Sequence, residues 1–324
     1  MKEKIKSYCN SIGIQEIGFV KCRRFDELIS FYNYRKENNL ENEFEESDIE
    51  KRINPKLYMN EGKTIISIAF PYLWNNDYVE NGFSKYTKGY DYHKVVKMHL
   101  DKICNMIIEA GGKAISLVDS NALPERYIAY LAGIGFIGKN NMIITKTHGS
   151  YVFLGEIITD LNLYDDDVRK FDEISKFKEC GECTICYKEC PTKAINEYKK
   201  NPNICTSYIT QKKELTDIEI KLLKDKIFGC DVCQNKCPYN ENISFSKIKE
   251  FKPLEFMENG KYEVYAEINN KAFKEKILPT SCGWRGKNII KRNAIIRLYN
   301  RGINIEKYKG DSPYLNKYIE ILNK

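Results

Sequence analysis

Two cysteine runs constrain this chain more than any other feature. The first is Cys180-Gly-Glu-Cys183-Thr-Ile-Cys186-Tyr-Lys-Glu-Cys190-Pro191. The second is Cys230-Asp-Val-Cys233-Gln-Asn-Lys-Cys237-Pro238, and Cys205 stands alone between them. C-x2-C-x2-C-x3-C-P is the ligand spacing of bacterial 4Fe-4S ferredoxins, in which three thiolates of a tight loop hold one cluster and the fourth, beside the proline, reaches a second. A zinc ribbon would instead separate its C-x2-C pairs by a longer spacer. The spacing therefore predicts a carrier of single electrons. By the crossed rule, Cys180, Cys183 and Cys186 share the first cluster with Cys237, and Cys190 joins Cys230 and Cys233 on the second. Cys205 is the cysteine left in the segment to complete that second set; the alternative is a buried free thiol. About 25 residues between Cys205 and Cys230 interrupt the ferredoxin-like unit. A plain carrier has no use for that insertion, whereas an enzyme could cover a cofactor with it.

Twelve cysteines in 324 residues could also mean a disulfide framework. The chain is large, its start (Met1-Lys-Glu-Lys-Ile-Lys-Ser) has no apolar leader, and its cysteines fall at x2 and x3 spacings, so a reduced cytoplasmic setting is expected instead. Cys9, Cys22, Cys104 and Cys282 read as ordinary buried thiols. The longest apolar runs, such as Ile65 to Phe70, are strand-sized and far below the roughly 20 residues that span a bilayer, so no membrane association is expected. From Ser281 onward the chain carries ten Lys/Arg against three Asp/Glu, which equals the whole net charge of +7. Such a tail is either a solvated helical face or a footprint for nucleic-acid phosphates.

Periodicity predicts a helix ending at Gly13, a strand at Ile17–Val20, an acidic loop or irregular helix over 38–48 and a buried strand over Lys63–Phe70. It also predicts a helix from Gly89 to Ala110 with Val95, Val96, His99, Leu100, Ile103, Ile107 and Ile108 on its apolar stripe. A strand over Ala114–Val118 leads to Asp119-Ser-Asn121, expected to cap a helix running to Ala132. Strands at Met142–Thr145 and Tyr151–Thr159 flank a His148-Gly149 turn. Residues 165–178 read as a charged linker. The expected fold class is α+β: an N-terminal α/β domain (1–165), a ferredoxin-like domain with two 4Fe-4S clusters (166–250) and a short, basic helical region (251–324).

No G-x-G-x-x-G opens a helix after a strand, and His93, His99 and His148 are not at metal-ligand spacing. Asp119 is the most suggestive polar residue. It ends an apolar strand, where open sheets place ligands; helix capping is the simpler explanation.

At this point the chain resembles the epoxyqueuosine reductases, cobalamin-dependent iron–sulfur enzymes that complete queuosine at the tRNA wobble position. The likeness rests on Asp48-Ile-Glu-Lys-Arg52-Ile-Asn-Pro-Lys, Tyr90-Asp-Tyr-His93, Val118-Asp119-Ser with Glu125-Arg126, and Ala132-Gly-Ile-Gly-Phe-Ile-Gly-Lys139-Asn140. It continues in Gly149-Ser-Tyr-Val-Phe-Leu-Gly-Glu156, both cysteine runs, Cys205-Thr-Ser207-Tyr-Ile-Thr210, Gly283-Trp-Arg-Gly-Lys287 and Lys291-Arg-Asn-Ala294.

The resemblance implies base-off cobalamin between the N-terminal and cluster domains, with Arg52, Ser84, Asn140, Ser207 and Asp231 as candidate contacts and Asp119 as proton donor to the opened epoxide. A carboxyl in that role would need its pKa raised by burial. The resemblance also implies a tRNA anticodon arm as partner, docked by Lys213, Arg285, Lys287, Lys291 and Arg292. The C-terminal region has room for one or two HEAT-like helix pairs. A monomer fed by an external flavodoxin or ferredoxin is expected. Two rival readings are a reductive dehalogenase acting on a small substrate and a non-enzymatic electron carrier.

Overall fold

The computed structural model describes residues 1–165 and 169–324. Asp166, Asp167 and Val168, which belong to the expected linker and adjoin the expected domain boundary, lie outside the described residues. The remainder of that linker contains a short helix, Phe171–Ile174.

The N-terminal part is built on strands β1 (Ile17–Lys21), β2 (Thr64–Pro71), β3 (Ala114–Leu117) and β6 (Val152–Thr159), in the order β1-β2-β6-β3. All three pairings are antiparallel. The rule that places ligands at the carboxyl edge of an open parallel sheet therefore does not apply to Asp119, and its position needs another explanation. Strands β4 (Gly135–Ile137) and β5 (Ile143–Thr145) form a separate two-stranded ribbon. Thus the two strands flanking His148-Gly149 belong to different sheets.

Every residue of β2 and β6 is buried, which requires cover on both faces. Successive side chains of a strand alternate between faces. Ile66, Ile68, Phe70, Phe153 and Ile157 pack under the Tyr92–Glu109 helix through Val96, Leu100, Ile103 and Ile107. Ile65, Ala69, Leu154 and Ile158 pack with Tyr127, Ile128 and Leu131 of the Glu125–Leu131 helix. Ile108 falls off the first stripe and is 52% exposed.

The expected cap of the second helix is absent. That helix begins at Glu125 after Pro124, with no side-chain cap. Proline disfavours helical backbone in the residue before it, so residues 119–123 are left as a loop. Asp119 takes a left-handed backbone (φ 49°) there, a conformation that costs a non-glycine residue of order 1 kcal/mol or more.

The insertion between Cys205 and Cys230 is anchored in the C-terminal core. Its Ile209, Leu215, Ile220 and Leu223 share a core with Ile290, Ala294 and Ile295 of the Lys287–Asn300 helix and with Leu315 and Ile319 of the Pro313–Leu322 helix. Loop carbonyls buried in such a core need donors. Asn293 donates to the carbonyls of Thr210 and Ile227, both at 2.7 Å. Arg292 donates to those of Lys212 and Lys213, both at 2.8 Å. Arg292 is 0% exposed. The expectation that it docks tRNA is thus corrected: its guanidinium staples the insertion to the C-terminal helices and is out of reach of any phosphate.

Candidate functional site

Cys180, Cys183, Cys186 and Cys237 line one pocket, together with Lys139, Asn140 and Tyr239. Burial, then the neighbouring Cys180 and Cys183 and, more weakly, Cys237, push the Cys186 thiol up to about 11. In a second group, burial raises the Cys233 thiol well above its ordinary value, and the neighbouring Cys230, Cys205 and Cys190 raise it further. The crossing arises because the Ile185–Glu189 and Val232–Asn235 helices, which carry or follow the x2 ligands, pack on each other.

None of the twelve cysteines forms a disulfide. Among the described residues, no three Cys, His, Asp or Glu side chains converge on a single metal-ion position. Thiols ringed around a cavity suit a cubane, whose four corners each take one sulfur, better than a lone ion. Backbone amides also reach the sulfurs. The Lys139 N–H lies 3.4 Å from Cys180 Sγ, and those of Ser207 and Tyr208 favour the Cys205 thiolate against its burial. Such bonds stabilise thiolates and tune a cluster's potential.

Four of the five expected corrin contacts gather around the second group. Ser84 donates to Asp231, which adjoins Cys230. Asp231 also accepts the Lys85 N–H at 2.8 Å. Gly229 permits this approach: it has φ 76°, and a Cβ there would lie 2.5 Å from that of Ser84. The Asn140 amide faces the Cys233 carbonyl at 3.4 Å. Ser207 lies two residues beyond Cys205, beside a Thr206 hydroxyl that is buried without a partner among the described residues. Arg52 is differently engaged, with Glu41 and Glu45 each at 3.2 Å and its guanidinium over Tyr32. The partnerless Thr206 hydroxyl beside Ser207 thus leaves a polar group next to the second thiol group for a cofactor to meet.

Asp119 does not cap the helix that follows it. Its Oδ2 lies 2.9 Å from His93 Nε2, and His93 Nδ1 lies 2.7 Å from Asp91 Oδ1. Asp91 caps the Tyr92–Glu109 helix and so fixes His93 in its first turn. Burial works against a charged ring, but hydrogen bonds to the two carboxylates outweigh it and push the imidazole up to about 9. Burial likewise works to raise the Asp119 carboxyl, but the His93 bond and charge hold it below its ordinary value. In the protein alone the Asp119 carboxyl is thus held ionised, and the rise that a donor role requires would have to come from burial against the corrin. Burial, reinforced by negative charge from Cys282, Asp231, Asp119 and Cys205, raises the Tyr86 phenol; Tyr86 thus lies within electrostatic reach of both the carboxylate and the second thiol group.

Behind Asp119 lie two acids that the sequence reading quoted in its motifs but gave no role. Glu125 Oε1 accepts the Asp119 N–H at 2.8 Å and the Asn121 amide at 2.9 Å, pinning the loop. Burial and then the Asp119 charge push Glu125 up to about 7. Glu156, on β6 opposite Ser67 and Leu117, is 0% exposed. Its Oε1 is 3.5 Å from Ser67 Oγ, and its Oε2 has no partner among the described residues. Burial, then the Glu125 charge, raises it well above the ordinary carboxylate value. A lone acid in the apolar run Val152–Thr159 was the signal that could have found it.

The folded chain therefore holds a proton on Glu156 that the unfolded chain, with a carboxyl near 4.3, gives up. Stability falls with rising pH wherever the native state binds more protons. The loss begins as pH climbs past about 4.3 and continues until the raised folded value is passed. Glu156→Gln should remove this loss: thermal melts of variant and wild type should coincide near pH 4 and separate toward pH 8, the variant melting higher by about 1–2 °C per kcal/mol relieved. A constant difference across that range would show that Glu156 does not titrate on unfolding.

Of the remaining expected tRNA contacts, Lys213 is exposed and Arg285, Lys287 and Lys291 are partly exposed. Arg285 bonds the Gln211 carbonyl at 2.6 Å and lies over the rings of Trp284 and Phe44, which are 56% and 42% exposed. No helix of the described residues is long and apolar enough to cross a membrane.

Comparison with known proteins bears on these groups directly. Residues 179–240 match the profile of a 4Fe-4S double cluster binding domain, and residues 52–120 match that of epoxyqueuosine reductase QueG, DUF1730. An epoxyqueuosine reductase of Lactococcus garvieae is 34% identical over 311 residues, covering 93% of this chain and 87% of the relative. A crystal structure of epoxyqueuosine reductase with an epoxyqueuosine-modified tRNA-Tyr stem loop superposes with a TM-score of 0.88 at 32% identity, over 99% of this chain and 88% of the other. The Bacillus subtilis enzyme, solved with its catalytic aspartate loop swung out of the active site, gives 0.88 at 31% identity over 99% and 89% of the two chains.

Proposed function

Since the chain belongs to the epoxyqueuosine reductase family, and is thus an oxidoreductase of tRNA queuosine biosynthesis with an iron–sulfur domain, we propose that it reduces epoxyqueuosine at the tRNA wobble position to queuosine through two 4Fe-4S clusters and base-off cobalamin, with Asp119 as proton donor. The observation that carries the reading is the bonding of Ser84 and the Lys85 N–H to Asp231, beside Cys230, which joins the N-terminal part to the second thiol group.

In this reading residues 1–165 and 166–250 enclose the cofactor and 251–324 supply part of the RNA surface. Cys180, Cys183, Cys186 and Cys237 hold one cluster, and Cys190, Cys205, Cys230 and Cys233 hold the other, which passes electrons singly. Ser84, Asn140, Ser207 and Asp231 hold the corrin rim; Arg52, committed to Glu41 and Glu45, would first have to exchange a partner. When bound, cobalamin supplies a low-potential cobalt able to reduce the strained epoxide. Asp119 delivers a proton to the epoxide oxygen as its ring opens. Lys213, Arg285, Lys287 and Lys291 meet phosphates of the anticodon arm, and exposed Trp284 beside Arg285 suits stacking on an unpaired base. An external flavodoxin or ferredoxin would supply electrons to a monomer. The carrier alternative leaves the Asp91–His93–Asp119 chain without a use, and a dehalogenase leaves the basic surface without one.

Anaerobically reconstituted protein with cobalamin, a strong reductant and an anticodon stem loop bearing epoxyqueuosine should yield RNA one oxygen lighter by mass spectrometry. Its affinity for the stem loop should fall steeply with salt. Unchanged RNA under conditions that reduce both clusters would overturn the reading.

A further inference from the structure

Reducing an epoxide to an alkene breaks both carbon–oxygen bonds, forms the carbon–carbon double bond and releases the oxygen as water, taking up two electrons and two protons. The electrons are those the reductase delivers. One carboxyl can carry only one proton at a time, and in this structure Asp119 begins ionised. The site therefore needs a second group that supplies Asp119.

Four neighbours compete for that role. The Tyr92 phenol bonds the Asp119 carboxylate, but burial and then the Asp119 charge raise its pKa, so it keeps its proton. Glu125 touches the Asp119 backbone N–H, not its carboxylate, so it holds the loop but offers no route for a proton. Glu156 is 0% exposed and cannot be reloaded from solvent. His93 differs on both counts: Nε2 meets Asp119 Oδ2 at 2.9 Å, and the side chain is 33% exposed. Its other nitrogen is held by Asp91 at 2.7 Å, and its ring stacks on Tyr92 at 4.1 Å, which in turn stacks on Phe153 at 4.2 Å. The ring is fixed by position rather than free to turn.

We propose that His93 is the proton relay of this site, passing a proton from Nε2 to Asp119 Oδ2 and recovering one from solvent, so that a single aspartate serves both protonations. The inference rests on the reading of Asp119 as donor. His93 acts through Asp119 and not on substrate. The charge balance supports it: the ring, pushed up to about 9, is protonated at neutral pH while Asp119 is not. Moving the proton to Asp119 in the resting site is uphill. An alkoxide forming at the far side of the carboxylate is far more basic than imidazole, so the transfer becomes downhill as ring opening proceeds. Other groups facing this pair are the Tyr92 phenol, Arg126 and Glu125 beside Asp119, and Lys94 beside Asp91. Arg126 and Lys94 favour ionised carboxylates, while Glu125 favours a protonated Asp119.

The test has two readouts. In the protein without substrate, the His93 ring followed by NMR should titrate near 9 and move down by at least one unit in Asp119→Asn; a ring titrating near its ordinary value in wild type overturns the relay. In single-turnover reduction of the modified stem loop, His93→Gln should slow the chemical step by about 10²-fold, leave RNA affinity unchanged, abolish the fall in rate toward pH 9 and be partly restored by added imidazole. A variant with wild-type rate and pH profile overturns the relay. If Asp119→Asn is then inactive, Asp119 remains the donor; if it is active, the donor reading itself fails.

Discussion

Replacing Cys205 with alanine is expected to lower iron from about eight to about four per chain, the content of one remaining cubane, and to abolish turnover. Cys205 lies outside both ferredoxin-type runs, and its spacing alone allowed a free thiol. In the fold it is grouped with Cys230, Cys233 and Cys190 in mutual electrostatic reach, and the amides of Ser207 and Tyr208 favour its thiolate. A quartet that loses one sulfur leaves an iron corner open to solvent. The cluster next to the expected cofactor is then the one lost, while Cys180, Cys183, Cys186 and Cys237 still surround their own cavity. Iron analysis and the optical spectrum of anaerobically reconstituted variant protein provide the check. A variant that retains about eight irons would remove Cys205 from the ligand set.

Asp119→Asn should reduce the rate of epoxide reduction by about 10²–10⁴-fold, or about 3–5 kcal/mol of barrier, the range for losing a positioned proton donor. Stem-loop affinity and iron content should be unchanged. The amide can still accept from His93 Nε2, so the loop contacts need not collapse: Glu125 binds the residue 119 backbone, which the substitution leaves intact. Binding and single-turnover measurements on the same preparation separate the two effects. Equal losses of affinity and rate would mean that Asp119 positions RNA instead of delivering a proton.

Much of this protein was legible in its sequence. The family and its iron–sulfur domain were carried by motifs whose residues lie within one loop or one helical turn, where spacing along the chain is spacing in space. Buried strands such as β2 and the apolar stripe of the Tyr92–Glu109 helix were likewise visible, because each repeats with the period of its own backbone. Tertiary structure alone decided the rest. His93 and Asp119 are 26 residues apart and meet because Asp91 starts a helix over the sheet edge where β3 ends. Glu156 finds Glu125 across the β6–helix interface, and Arg292, counted among surface charges, is consumed by carbonyls some 80 residues earlier in the chain. Ionisation depends on which charges and dipoles surround a group after packing, and a one-dimensional pattern records neither. The chain spelled out which thiols and acids it possesses; only the fold determined where their protons reside.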